Sequence, residues 1–233
     1  MFSAKTSFRI PHFKHRMTEP RYIRSKADLQ LRLAGIKAVI FDWDGVFNDG
    51  FKDRDGGSPF SEVGSMGVNL LRFALWMKNG PLPISAIITG QKNPFAENFA
   101  HRERLHGLYM GFTNKPEAFS TFLAEHDLQP EEVAFVFDDV LDLPIAAVCG
   151  VRVMIGSPAT AWLVDQVIAR GEADVVTANG GGENGLREAT DLLIDAIGNG
   201  SEVLDHRVGY TERYQQYLSE RQKVKPNVFR NPR

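Results

Sequence analysis

Residues 38–50, Ala-Val-Ile-Phe-Asp-Trp-Asp-Gly-Val-Phe-Asn-Asp-Gly, constrain this chain more than any other stretch. A short apolar run, of the kind buried inside a parallel sheet, delivers two carboxylates into a loop opened by Gly45. Those carboxylates, Asp42 and Asp44, stand two residues apart. An open α/β sheet places its ligand site beyond the carboxyl ends of its strands. Two acids at such an edge suit the holding of Mg²⁺ and an attack on phosphorus.

Around this junction the chain alternates between two patterns. Strands are predicted at 36–41, 83–89, 107–112, 132–139, 151–156 and 173–177. Helices are predicted at 67–80, 93–105, 115–128, 141–149 and 183–198. Gly80 closes the first helix, and Asn93-Pro94 supplies a cap and first position for the second. The alternation, with its β-branched strands, predicts an α/β domain over 34–200. Its core is a Rossmann-like parallel sheet with helices on both faces. Residues 50–65 break the rhythm, and Asp55-Gly56-Gly57 between two strand-like pieces predicts a projecting β-hairpin. Residues 1–33, interrupted by Pro11 and Pro20, read as a basic N-terminal extension. Residues 201–233 read as a C-terminal extension with a helix-like piece at 210–224, either packed on a neighbour or disordered.

A phosphate ester repels nucleophiles, so a site must neutralise its charge, position the phosphorus and supply an attacking atom. Asp42 is the candidate nucleophile, because a carboxylate forms an aspartyl-phosphate. Asp44 is the candidate acid/base, for the leaving oxygen first and the hydrolytic water second. Taken alone, Asp-x-Asp-Gly is equally a turn after a strand, but three later strand ends add what is missing. Thr89, with the Gly90 backbone beside it, offers donors to a phosphate. Lys115 opens a helix, where a cation is unfavourable unless it answers an anion. Asp138 and Asp139 end another strand, with Asp142 beyond, and adjacent acids there call for a cation between them. Asp138 would complete an oxygen cage for Mg²⁺ with the Asp42 carboxylate and the Asp44 backbone carbonyl. Each has a plainer role taken alone, Thr89 and the strand-end acids as helix caps and Lys115 as an exposed lysine, yet four such elements in this order are improbable by chance.

On these residues the chain from about 36 to 197 resembles the haloacid dehalogenase (HAD) superfamily of phosphatases. It is most similar to the capless branch that contains 3-deoxy-D-manno-octulosonate 8-phosphate (KDO 8-phosphate) phosphatase. The matching segments are Asp42–Gly50, Ile87–Gly90, Lys115, Asp138–Pro144 and Gly181–Glu188. The resemblance implies a HAD-like fold and a Mg²⁺-dependent phosphomonoester hydrolase acting on a small sugar or sugar-acid phosphate. It implies Asp42 as nucleophile, Asp44 as acid/base, Thr89 and Lys115 as phosphate binders and Asp138 as metal ligand. Asp139 and Asp142 would be outer or occasional ligands. It also implies a homo-oligomer, a tetramer formed through the hairpins, with a neighbour's C-terminal segment over the site. The intervals from Asp42 to Thr89 and from Thr89 to Lys115 are too short for a lid domain, which fits a capless enzyme. The chain departs from the family pattern at three points. Val63-Gly64-Ser65 replaces Arg-Asp-Gly, Gln91 replaces an Arg, and Phe137 replaces a Gly before the acidic pair. Gln does not reproduce the bidentate pairing of guanidinium with a carboxylate, so a carboxylated substrate loses two expected contacts. Phe137 is expected to crowd the metal loop.

Charge bears on the partners. Residues 34–200 carry 12 Lys/Arg against 23 Asp/Glu, a core too acidic for a nucleic-acid duplex. Residues 1–33 carry eight against two, and 201–233 seven against four. Cys149 is the single cysteine, which precludes an internal disulfide and reads as a core residue. No stretch has the length of a membrane span, so a cytoplasmic protein with no membrane partner is expected. Two rival functions stay open: a weak or inactive oligomerising module, and a capless phosphatase whose open site and basic tails dock a macromolecule.

Overall fold

The computed structural model describes residues 19–52 and 57–232. Among them the strands form one eight-stranded sheet in the order β1-β7-β6-β5-β2-β3-β4-β8. The strands are β1 (Arg21–Tyr22), β2 (Ala38–Phe41), β3 (Ile84–Thr89), β4 (Gly107–Met110), β5 (Val133–Phe137), β6 (Val151–Met154), β7 (Val175–Val176) and β8 (Asn227–Arg230). All run parallel except β1, which pairs antiparallel with β7. From β2 the chain builds outward through β3 and β4, then returns to place β5 on the other side of β2. That reversal opens a crevice beyond the carboxyl ends of β2 and β5, the ligand position of such sheets.

Nine helices cover the sheet among the described residues: α1 (Lys26–Leu33), α2 (Glu62–Asn79), α3 (Pro94–Glu103), α4 (Lys115–His126), α5 (Leu143–Ala146), α6 (Ala161–Ala169), α7 (Gly185–Ile197), α8 (Gly200–Val208) and α9 (Glu212–Gln222). Side chains of a strand alternate between faces. Val39 and Phe41 of β2 therefore join one core, with Leu29, Leu71, Phe99, Leu193 and Tyr217. Ala38 and Ile40 join the opposite core, with Phe122, Ile145 and Val167. Cys149 lies buried in that second core, where burial pushes its thiol pKa up. The α/β class and parallel sheet agree with the expectation from sequence, and neither interval flanking Thr89 holds a second domain.

Four expectations change. No strand lies among the described residues between Gly50 and Ser61, so the projecting hairpin is not formed there; its tip, 53–56, lies outside the described residues. Helix α2 starts earlier than predicted, because Ser61 caps it by accepting the Gly64 backbone N–H at 3.0 Å. The described parts of both extensions are docked on the chain's own core. Leu29 and Leu33 of α1 are buried, β1 extends the sheet at β7, α9 packs on α2, and β8 pairs with β4. The basic segment before residue 19 lies outside the described residues. Finally, α6 occupies 161–169, where no element was predicted.

Candidate active site

Strand β2 ends at Phe41, and Asp42 stays in its register by donating its backbone N–H to the Val136 carbonyl at 2.9 Å. Asp42 thus faces the end of β5, whose last residue precedes Asp138. Gly45 turns the chain with φ of +87°, a left-handed conformation suited to glycine. The turn has a second need for glycine: a Cβ there would lie 1.9 Å from Asp138 Oδ2. Asn48 holds the loop's shape, its Oδ1 accepting the Gly50 backbone N–H at 2.9 Å while its Nδ2 donates to the Pro59 carbonyl at 3.0 Å.

The structure brings Asp42, Asp138 and Asp142 together, with one oxygen of each within 4.8 Å of the others. Lys115, at the start of α4, reaches two of them: Nζ lies 2.7 Å from Asp42 Oδ1 and 2.6 Å from Asp142 Oδ1. Asp142 is therefore more central than its expected outer role, and it is fully buried. Asp139 is less central: it is exposed, and its Oδ1 accepts the Val140 backbone N–H at 2.7 Å to cap a short turn. Thr89 ends β3 next to Asp42's strand, fully buried, and its hydroxyl accepts the Gln91 backbone N–H at 3.3 Å. Gly90 follows it, half-buried. The Asp44 side chain stands outside the three-acid group, where Ser58 Oγ and Lys52 Nζ both meet its Oδ1.

Three acids, two buried and one half-buried, sit beside one cation and set the electrostatics. Burial raises the Asp138 pKa to about 9, and repulsion from Asp42, Asp142 and Asp139 adds to it. Burial and Asp42 raise Asp142 to about 7, with Lys115 opposing. Asp42 is raised by burial, against the pull of Lys115. For Lys115 burial alone would lower the pKa, but Asp42 and Asp142 more than reverse it. Asp138 Oδ1 is buried with no hydrogen-bond partner among the described residues. An all-oxygen donor set of unbalanced negative charge, with one orphaned oxygen, fits a hard divalent cation such as Mg²⁺.

One further expectation is corrected. The Phe137 side chain does not crowd this cluster; it is buried in the second core, stacked on Phe135 with ring centroids 5.4 Å apart. The Gly180-Gly181-Gly182 run packs closely on the Asp42 loop. A Cβ on Gly181 would lie 2.1 Å from the Asn48 carbonyl oxygen and 2.2 Å from that of Gly45, and one on Gly182 would lie 2.7 Å from Asp49 Cβ. These glycines let the short turn before α7 clamp the loop that carries Asp42 and Asp44. Sequence reasoning missed Asn48 and Ser58, which lack charge and a recognisable spacing, and read Asn93 only as a helix cap. The positions where the family pattern has Arg-Asp-Gly fall in the first turn of α2, where Val63 is exposed while Gly64 and Ser65 are buried.

No family model matches the chain. It is 33% identical over 175 residues to 3-deoxy-D-manno-octulosonate 8-phosphate phosphatase KdsC of Escherichia coli, covering 74% of this chain and 86% of that protein. The crystal structure of the phosphatase of that name from Yersinia pestis superposes with a TM-score of 0.61 at 30% identity, over 75% of this chain and 89% of that one. The Moraxella catarrhalis phosphatase, crystallised with magnesium, phosphate and KDO, shares the fold with a TM-score of 0.62 at 21% identity, over 76% and 96%.

Proposed function

Because the chain belongs to the KDO 8-phosphate phosphatase family of HAD-type hydrolases, we propose that Asp42 takes a phosphoryl group from a small sugar or sugar-acid phosphate. The chain is a phosphatase, a phosphoric monoester hydrolase that depends on Mg²⁺. One observation carries the assignment of residues: Asp42, Asp138, Asp142 and Lys115 converge at the carboxyl edge of the sheet within hydrogen-bonding and ligand distances.

Asp42, the Asp44 carbonyl and Asp138 would hold Mg²⁺, with Asp142 beside them; bound there, the ion supplies neutralisation of the phosphoryl oxygens. Lys115 occupies Asp42 Oδ1, which leaves Oδ2 to attack phosphorus in line with the leaving oxygen. Lys115 also balances the charge of the incoming phosphate, with Thr89 and the Gly90 backbone as further donors. As the bond from phosphorus to the leaving oxygen breaks, Asp44 gives that oxygen a proton. Asp44 then takes a proton from the water that attacks the aspartyl-phosphate, and phosphate leaves with Asp42 restored.

The relatives' name makes KDO 8-phosphate the first substrate to assay. The replaced arginines shift the expectation within the class toward sugar phosphates whose recognition needs fewer guanidinium contacts. We also infer a homo-oligomer, a tetramer, in the cytoplasm, supported by the family resemblance. No described helix is long and apolar enough to cross a membrane. The test is release of inorganic phosphate from a panel of phosphorylated sugars and sugar acids, with Mg²⁺ or with EDTA. Hydrolysis of at least one sugar phosphate, abolished by EDTA and by Asp42→Asn, is expected. Undiminished turnover by Asp42→Asn would remove that residue from the nucleophile role.

A further inference from the structure

We propose that Ser58 and Asn93 are positioning residues that fix which oxygen of Asp44 serves the leaving group; this rests on the phosphatase reading above. Ser58 is fully buried and Asn93 is 1% exposed, so neither is a surface hydroxyl or amide sampling solvent. The Asn93 Oδ1 accepts the Phe95 backbone N–H at 2.9 Å and caps α3. That bond settles the orientation of the amide. Its Nδ2 must therefore face the other way, where it donates to Ser58 Oγ at 2.9 Å. A hydroxyl has a single hydrogen. With a lone pair of Ser58 Oγ taken by Asn93, that hydrogen goes to Asp44 Oδ1.

The Ser58 main chain is fixed as well. Its carbonyl accepts the Trp43 Nε1–H at 3.0 Å and the same Asn93 amide at 3.4 Å. Trp43 is itself buried and stacked on Phe47 at 4.4 Å. The chain of donors thus starts at a helix cap, passes through a hydroxyl and ends on one oxygen of Asp44. Lys52 Nζ meets that same oxygen. With both donors on Oδ1, Oδ2 is left as the oxygen that carries the transferable proton. When the bond from phosphorus to the leaving oxygen breaks, the proton on Oδ2 passes to that oxygen. The charge left on Asp44 is shared with Oδ1, which two donors already hold. Holding a catalytic group in one rotamer preserves part of its rate advantage.

The test separates protonation of the leaving group from folding. An alkyl phosphate has a poor leaving group that needs a proton, whereas p-nitrophenyl phosphate needs little help. General acid catalysis contributes roughly 10²–10⁴-fold. Ser58→Ala is expected to lower kcat/KM for the alkyl phosphate by about 10–100-fold, mostly in kcat, and to lower it several-fold less for p-nitrophenyl phosphate. Asn93→Asp keeps the acceptor that caps α3 but turns the group facing Ser58 into a second acceptor, which competes for its hydrogen. It should show the same leaving-group bias without unfolding α3. Ser58→Thr, which retains the hydroxyl, should recover most of the loss. An equal loss on both substrates, or no loss on either, would overturn the assignment. A wild-type protein that hydrolyses neither substrate would instead overturn the phosphatase reading beneath it.

Discussion

Replacing Asp138 with Asn is expected to make the metal-free protein more stable at pH 8 while abolishing its response to Mg²⁺. In the unfolded chain this carboxyl has its ordinary pKa of 3.8, and in the folded, metal-free protein it is raised to about 9. Between those values the folded state holds a proton that the unfolded state has released. Stability therefore falls as pH rises from about 4 to about 9. Each pH unit costs about 1.4 kcal/mol per proton, so the ceiling at pH 8 is about 5–6 kcal/mol. The three carboxyls share the cluster's protons, which reduces the part borne by one of them. The amide that Asp138→Asn introduces also leaves a buried polar atom unpartnered, a cost of about 1 kcal/mol or more. The net gain at pH 8 is on the order of 2 kcal/mol, or about 4–8 °C in Tm for a chain of this length. At pH 5 the wild-type penalty is little more than one unit and the gain vanishes. Thermal melts in EDTA at the two pH values, repeated with Mg²⁺, make the comparison. Wild type should gain Tm with Mg²⁺, more at pH 8 than at pH 5, and the variant should not. A variant destabilised equally at both pH values, with the Mg²⁺ shift intact, would refute the electrostatic reasoning.

Gly45→Ala puts a Cβ 1.9 Å from Asp138 Oδ2 at a φ of +87°. The backbone cost is about 1–2 kcal/mol, and kcat/KM is expected to fall by about 100-fold or more as Asp138 is displaced, a loss that steady-state kinetics would measure. Lys115→Met removes the cation that reaches Asp42 and Asp142. Truncating one partner of a buried pair costs about 3–5 kcal/mol, so denaturant titration should show a lower midpoint, with a larger loss at pH 8 than at pH 5. Ending the chain at Gly209 removes the buried Tyr214 and Tyr217 and strand β8. Burying such side chains is worth about 1.5–3 kcal/mol each, and an uncovered β4 is an open edge; a markedly lower Tm and concentration-dependent aggregation by light scattering are expected.

The parallel sheet was legible because its strands are buried on both faces and so read as unbroken apolar runs. The carboxyl edge where the candidate residues meet was legible because Asp42, Thr89 and Asp138 each end or directly follow an apolar strand with a polar group, and Lys115 opens the helix after β4. Asn93 was recognised as a cap, but its second bond, to Ser58, depends on a contact across 35 residues that no local pattern encodes. Strand β8 has only four residues and gains its identity from pairing with β4. The extensions read as tails because their buried positions, Leu29, Leu33, Tyr214 and Tyr217, are sparse among charges and become a core only against α2 and α7. The glycine run at 180–182 carries no side chains to read, and its role emerges from what a Cβ would strike. Helix α6 did offer a signal in Ala161, Leu163, Val164, Val167 and Ile168, a helical spacing of apolar residues.

The most direct measurement is the site of phosphoryl attachment during turnover. A sugar phosphate that the protein hydrolyses is mixed with it in Mg²⁺, quenched within a turnover, reduced with borohydride and digested for peptide mass spectrometry. An acyl phosphate on Asp42 would be reduced to homoserine at that position, and this conversion is expected in Mg²⁺ and not in EDTA. Phosphate release in a single turnover with Asp42 unmodified, or with the label on another residue, would contradict it.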